Sequence, residues 1–183
     1  MRSFKEFIDE ADIGDFSIAE FKEVLFGKQH TDYWYTVIPD LDTNIVSLYN
    51  AILMATHSRM DMPVIKEKHL EKYQVFMKMV AVPSTMKFLR VSSLQPMQKD
   101  LRVEKILKNI FNHGIAESKV YLKTTTIVVN RDHYIIDGHH RFATGTILDS
   151  TLKVPCLVMD GDIEKVLMKS NKFTDAMGLP SQN

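Results

Sequence analysis

The segment from Thr124 to Ala143 constrains this chain more than any other. Its opening run, Thr124 to Val129, consists wholly of β-branched residues, which pack well on a pleated surface and predict a strand. Asn130 to His133 supply a turn, and Tyr134-Ile135-Ile136 return, so the pair reads as a hairpin. Asp137-Gly138 then breaks the extended pattern, because glycine permits a tight turn and a close backbone approach. Residues 139–148 continue as a helix, and Val154-Pro155 open a further strand that runs to Met159. A strand–turn–strand–tight turn–helix–strand order commits this half of the chain to α+β.

The rest of the second half fits that reading. Phe88, Leu89, Val91 and Leu94 mark a strand that leads into a turn at Pro96. Asp100 is placed to cap a helix carrying Leu101, Ile106, Leu107, Ile110 and Phe111, which Asn112-His113-Gly114 ends. Asp162 caps a last helix through Ile163, Val166 and Leu167, with residues 171–183 expected as a frayed tail. The first half has helical spacing instead. Apolar stripes fall at Phe4, Phe7, Ile8 and Ala11, at Ile18, Phe21, Val24 and Leu25, and at Ile45, Leu48, Ile52 and Leu53. Pro63 opens another predicted helix, with Ile65, Leu70, Tyr73, Phe76, Met77 and Val80 on one side and Pro83 as its stop. The expected organisation is a helical region over 1–85, an α+β domain over 86–170 and the tail. The Tyr33-Trp34-Tyr35 cluster is expected to pack a core.

Of 183 residues, 45% are hydrophobic and 25% charged, values of a globular chain rather than a disordered one. A single cysteine, Cys156, excludes a disulfide framework and a cysteine-based zinc cluster. No apolar run has the length of a membrane span, so a cytoplasmic protein without a membrane partner is expected. Formal charge is zero, but residues 1–86 hold nine cations against thirteen carboxylates and residues 87–183 hold fourteen against ten. The second half is therefore the better candidate for meeting phosphate or nucleic acid.

The chemistry concentrates at the tight turn. A helix starting at His139 leaves the N–H groups of His139, His140 and Arg141 without intrahelical partners, and such an end attracts anions. Arg141 adds a fork of donors suited to phosphate. His139 and His140 can donate to phosphate oxygens, shuttle protons or bind a metal. Asp137 reads as the cap, as a ligand to a divalent metal or as a general base toward a hydroxyl. Arg90, Lys99 and Arg102 are candidates to line the same cleft. Asp132 and His133 read as a plain hairpin turn.

This pattern resembles the signature box of the ParB/sulfiredoxin superfamily. Tyr134–Ile136, Gly138–Arg141, Phe142–Leu148 and Val154-Pro155 match its hairpin, Gly-x-x-Arg turn, helix and Val-Pro strand. Residues 91–106 resemble its upstream strand, turn and helix, so the likeness covers roughly residues 86–160. It implies a small mixed sheet with helices, here preceded by a helical N-terminal region. It also implies a nucleotide phosphate site at Gly138, His139, His140 and Arg141, with ATP, ADP or CTP as ligand and Mg²⁺ as cofactor. The catalytic candidates are Asp137, His139, His140 and Arg141, with Asp137 as the metal contact and Gln98 facing the same cleft. Arg141→Ala is then expected to abolish nucleotide binding and leave the fold intact.

Departures narrow the reading. Sulfiredoxins carry a cysteine where His139 stands, and Cys156 lies on an expected strand, so their chemistry is not expected. The residues after the last strand are too few for the helix-turn-helix of partition proteins. The Asp137–Arg141 spelling is closest to the free-serine kinase branch, which places a carboxylate where Gln98 stands, and a glutamine cannot act as a base. Phosphoryl transfer or nucleotide hydrolysis is the leading expectation. A ParB-like nuclease or DNA-binding phage protein is the first alternative. A non-enzymatic virion or anti-host interaction protein, meeting its protein partner through the helical region, is the second. Residues 1–11 are similar to the capsid-targeting leader of proteins packaged in tailed-phage heads, and Ile8-Asp9-Glu10 fits the cleavage pattern of such leaders. That likeness implies a phage origin, with the host cytoplasm or the virion as location.

Overall fold

Four strands form one mixed sheet at the centre of the chain. They are β1 (Ser84–Arg90), β2 (Ile127–Asn130), β3 (Ile135–Asp137) and β4 (Lys153–Met159), in the order β1-β4-β2-β3. β1 runs antiparallel to β4, β4 parallel to β2, and β2 antiparallel to β3 with a register shift at Val128/Val129. The computed structural model describes residues 12–26 and 35–179. The stripe at residues 3–11, the leader-like segment and the Tyr33-Trp34 pair fall outside the described residues. The α+β class expected from the sequence is the class observed.

Alternation along β4 divides the core in two. Val154, Cys156 and Val158 face one side with Ile127, Val129 and Ile135. Against this side pack α1 (Ile18–Phe26), α2 (Leu41–Leu53), α4 (Val103–Thr124) and α5 (His139–Asp149). Leu157 and Met159 face the other side with Val128 and Ile136, under α3 (Leu70–Met79) and α6 (Ile163–Ala176). The helical region shares this sheet-centred core: α2 lies on α5, where the Asn44 side chain donates to the Ile147 carbonyl at 3.1 Å. Among the described residues no helix is long and apolar enough to cross a membrane.

The hairpin turn is built by Asn130, which is fully buried. Its Oδ1 accepts from the N–H groups of Asp132 (3.1 Å) and Tyr134 (2.8 Å), and its amide donates to the Gly161 carbonyl. These bonds hold His133 at φ 68°, a conformation that a side chain disfavours unless its surroundings impose it.

Several boundaries differ from the sequence expectation. The helix after Pro63 begins only at Leu70, behind a 3₁₀ turn at Glu67–His69, because Ile65 is buried in an extended segment. Asp100 does not cap α4; Arg102 occupies the N-cap, and the Asp100 carboxylate accepts instead from the Arg59 N–H at 2.9 Å. The helix is interrupted at Gly114 (φ 72°, ψ 174°) but resumes to Thr124, with Ser118 and Leu122 buried. α6 runs to Ala176, beyond the start of the expected tail. Its Phe173 is buried edge-on against Tyr73, ring centroids 5.2 Å apart, and that packing keeps the last turns ordered.

Candidate functional site

β3 delivers the chain to Asp137, and Gly138 turns it into α5. Gly138 has φ 108° and ψ 20°, a left-handed conformation that only glycine adopts without cost. A Cβ there would lie 3.1 Å from Ile127 Cγ1 and 3.2 Å from Arg141 Nη2. Gly138, not Asp137, is the N-cap residue. The first intrahelical bond runs from the Phe142 N–H to the Gly138 carbonyl at 2.9 Å, so the N–H groups of His139, His140 and Arg141 lie ahead of the ladder.

Both histidines fasten this helix end to the segment before α4. His139 Nε2 accepts from the N–H groups of Met97 (3.1 Å) and Gln98 (3.2 Å). His140 Nε2 accepts from the Arg102 N–H at 3.1 Å. An accepting Nε2 fixes each ring as the neutral tautomer with its proton on Nδ1. Burial, followed by nearby cations, pushes each ring's pKa down to about 3. Nε2 is therefore occupied in both rings, and each keeps a single ring proton, on Nδ1.

Arg141 is held as firmly. Its Nη1 donates to the Thr126 carbonyl at 2.6 Å and its Nη2 to Asp137 Oδ2 at 2.7 Å, with Glu67 Oε2 at 3.8 Å from Nη1. Asp137 also accepts from the Ile65 N–H; burial raises its carboxyl above the ordinary aspartate value while the Arg141 guanidinium opposes the rise. Glu67 in turn accepts from the Thr126 N–H and hydroxyl. Removing the guanidinium strips a largely buried carboxylate of its partner, so Arg141→Ala is not the fold-neutral change expected from the sequence.

These groups line a cleft of about 560 Å³ between α5, the 59–67 segment and both halves of α4. All six residues singled out in the sequence, Gln98 and Asp137 to Arg141, are on its lining. Gln98 meets His139 through its backbone; its side-chain amide donates to the Asp100 carbonyl. Arg90, Lys99 and Arg102 are not on the lining. Arg59, Lys66, Lys105 and Lys108 are, and with Arg141 they set five cations against the carboxylates of Glu67 and Asp137. Crowding is felt: partial burial and then the guanidiniums of Arg59 and Arg102 hold Lys105 below the ordinary lysine range. Pro63, Val64, Ile65 and Tyr121 supply apolar wall.

Lys105 and Lys108 stand three apart in a helix whose Val103, Ile106 and Ile110 are buried, so their shared exposed face was readable from spacing. Arg59 and Glu67 come from an aperiodic segment, and nothing in the local sequence points them at this turn. Among the described residues no three or more His, Cys, Asp or Glu side chains gather to hold a metal ion. Asp137 does not fit as an Mg²⁺ ligand either, since a second cation there would face the guanidinium of Arg141. Asp132 and His133 sit in the hairpin turn and not on the cleft. Comparison with protein-family models, curated proteins and solved structures finds no match.

Proposed function

We propose that the cleft binds the phosphate chain of a nucleotide, ATP, ADP or CTP, and supports phosphoryl transfer to an acceptor or to water. One observation carries this reading: a helix end with three N–H groups ahead of the ladder opens into a cleft lined by five cations and two carboxylates, and both carboxylates are already turned to Arg141. A net charge near +3 in a recess asks for a ligand with several negative charges. Backbone donors and cations fixed in advance stabilise the charge that spreads over a transferring phosphoryl group. The neutral histidines take the role of positioning residues, because they set the helix end against Lys105 and Lys108 through the backbone of residues 97–102. The apolar wall of Pro63, Val64 and Tyr121 suits the less polar part of such a ligand.

The test is a thermal-shift panel of ATP, ADP, CTP and GTP, with and without Mg²⁺, on the wild type and on Lys105→Glu/Lys108→Glu. Both lysines are exposed, so reversing their charge leaves the core untouched. A nucleotide that binds only the folded chain raises the wild-type Tm in a saturable way. The double variant needs about tenfold or more nucleotide for the same shift, because two charge-assisted hydrogen bonds are missing. Absence of a shift with every nucleotide refutes the reading.

A further inference from the structure

Among the described residues β1 is the outer strand of the sheet and pairs only with β4. Cross-strand partners share a face, so the register Met86↔Leu157, Phe88↔Pro155 and Arg90↔Lys153 puts Met86, Phe88 and Arg90 on the side where α3 and α6 pack. Those helices cover Leu157 and Met159 but leave the corner of the sheet open. Phe88 is 66% exposed and Met86 51%, although a strand residue facing a helical layer is ordinarily covered. Beside them Arg90 and Lys153 stand directly opposite each other, a like-charge pair that disfavours the ladder. Neither strand contains a carboxylate, and Lys87 adds a third cation on the other face. Asp149, the acid nearest in sequence to Lys153, is bonded to Lys119.

We infer that this corner binds single-stranded nucleic acid, with a base stacked on Phe88 and the backbone phosphates on Arg90 and Lys153. An aromatic ring open to solvent on a sheet, flanked by two adjacent cations, matches the two demands of such a ligand: a flat π-face and a charged backbone. A phosphate between Arg90 and Lys153 turns their mutual repulsion into attraction, which an apolar partner cannot do. None of these residues lines the cleft, so the inference is independent of the nucleotide reading.

The experiment is fluorescence anisotropy of a 5′-labelled oligothymidylate titrated with the full chain over a range of salt. Three variants accompany the wild type: Phe88→Ala, Arg90→Glu/Lys153→Glu and Lys105→Glu/Lys108→Glu. The expected result is binding that weakens steeply with salt. Phe88→Ala lowers the affinity by about tenfold, the typical effect of removing the platform for one stacked base. The Arg90/Lys153 reversal lowers it further and flattens the salt dependence, by a slope of roughly 0.7 for each phosphate that is no longer neutralised. The Lys105/Lys108 reversal lowers it less than the Arg90/Lys153 reversal, although both change the net charge equally. The inference is overturned if the oligonucleotide does not bind at low salt, or if it binds Phe88→Ala and Arg90→Glu/Lys153→Glu as tightly as the wild type. It is also overturned if light scattering shows a concentration-dependent dimer that Phe88→Ala abolishes, since the face then belongs to a second copy.

Discussion

Lowering the pH from 7 to 5 should remove a large share of this protein's stability, and the loss should trace to two rings. His139 and His140 are neutral in the folded chain, each with a pKa near 3 where an unfolded histidine has 6.5. The unfolded chain therefore takes up their protons first. Their contribution is fully present above about pH 6.5 and is lost progressively as the pH falls toward 3. Between pH 7 and 5 the linkage relation gives about 2 kcal/mol for each ring, or about 4 kcal/mol for the pair, before a discount for the partial exposure of His140. That is a large fraction of the roughly 5–15 kcal/mol typical of a domain. The depressed carboxylates Glu20, Asp42, Asp61 and Asp149 give up their contributions only at more acid pH, and the raised Asp12 and Asp137 act in the opposite direction. Urea denaturation at half-unit steps, with a constant m-value, measures the slope. His139→Gln/His140→Gln keeps an acceptor near each Nε2 position but cannot titrate, so its profile should lose most of this slope, the remainder coming from His69, which desolvation and then nearby lysines also hold below the ordinary histidine range. A wild-type profile that is level from pH 7 to 5, or a double variant with the wild-type slope, would refute the reasoning.

Two changes at the turn have separate signatures. Gly138→Ala forces a side chain into φ 108° and against Ile127, and should cost about 2 kcal/mol or more in urea denaturation, most of it strain. Arg141→Ala should cost about 3 kcal/mol by leaving Asp137 without its partner, whereas Arg141→Ala/Asp137→Asn should recover part of that loss; a fully additive double variant would count against the pairing.

How far the sequence foretold this arrangement depends on where each contact closes. The hairpin, the turn at Gly138 and the start of α5 were legible because each rests on local chemistry: β-branched residues, a turn asparagine, a glycine with positive φ. Asp137 to Arg141 share one lining for the same reason, whereas Gln98, expected there only from the resemblance, reaches it through a contact that the tertiary fold closes. Their partners were not legible. That His140 spends its Nε2 on the Arg102 N–H, or that Arg141 faces Glu67 and Thr126, depends on segments brought together only by the tertiary fold. Gly114 misled in the opposite way. It does break helical geometry, but Ile115, Ser118 and Leu122 have enough inward surface to restart the helix beyond it.

The bond from the Arg102 N–H to His140 has a mechanical consequence. It anchors the first residue before α4, and Lys105 and Lys108 are carried on the next turn of that helix, like fittings on an arm clamped at one end. Protonating His140 opens the clamp. In the folded chain that proton is taken up only near pH 3, so anion affinity should hold through the range below pH 6.5 in which proton uptake by the unfolded chain already lowers stability.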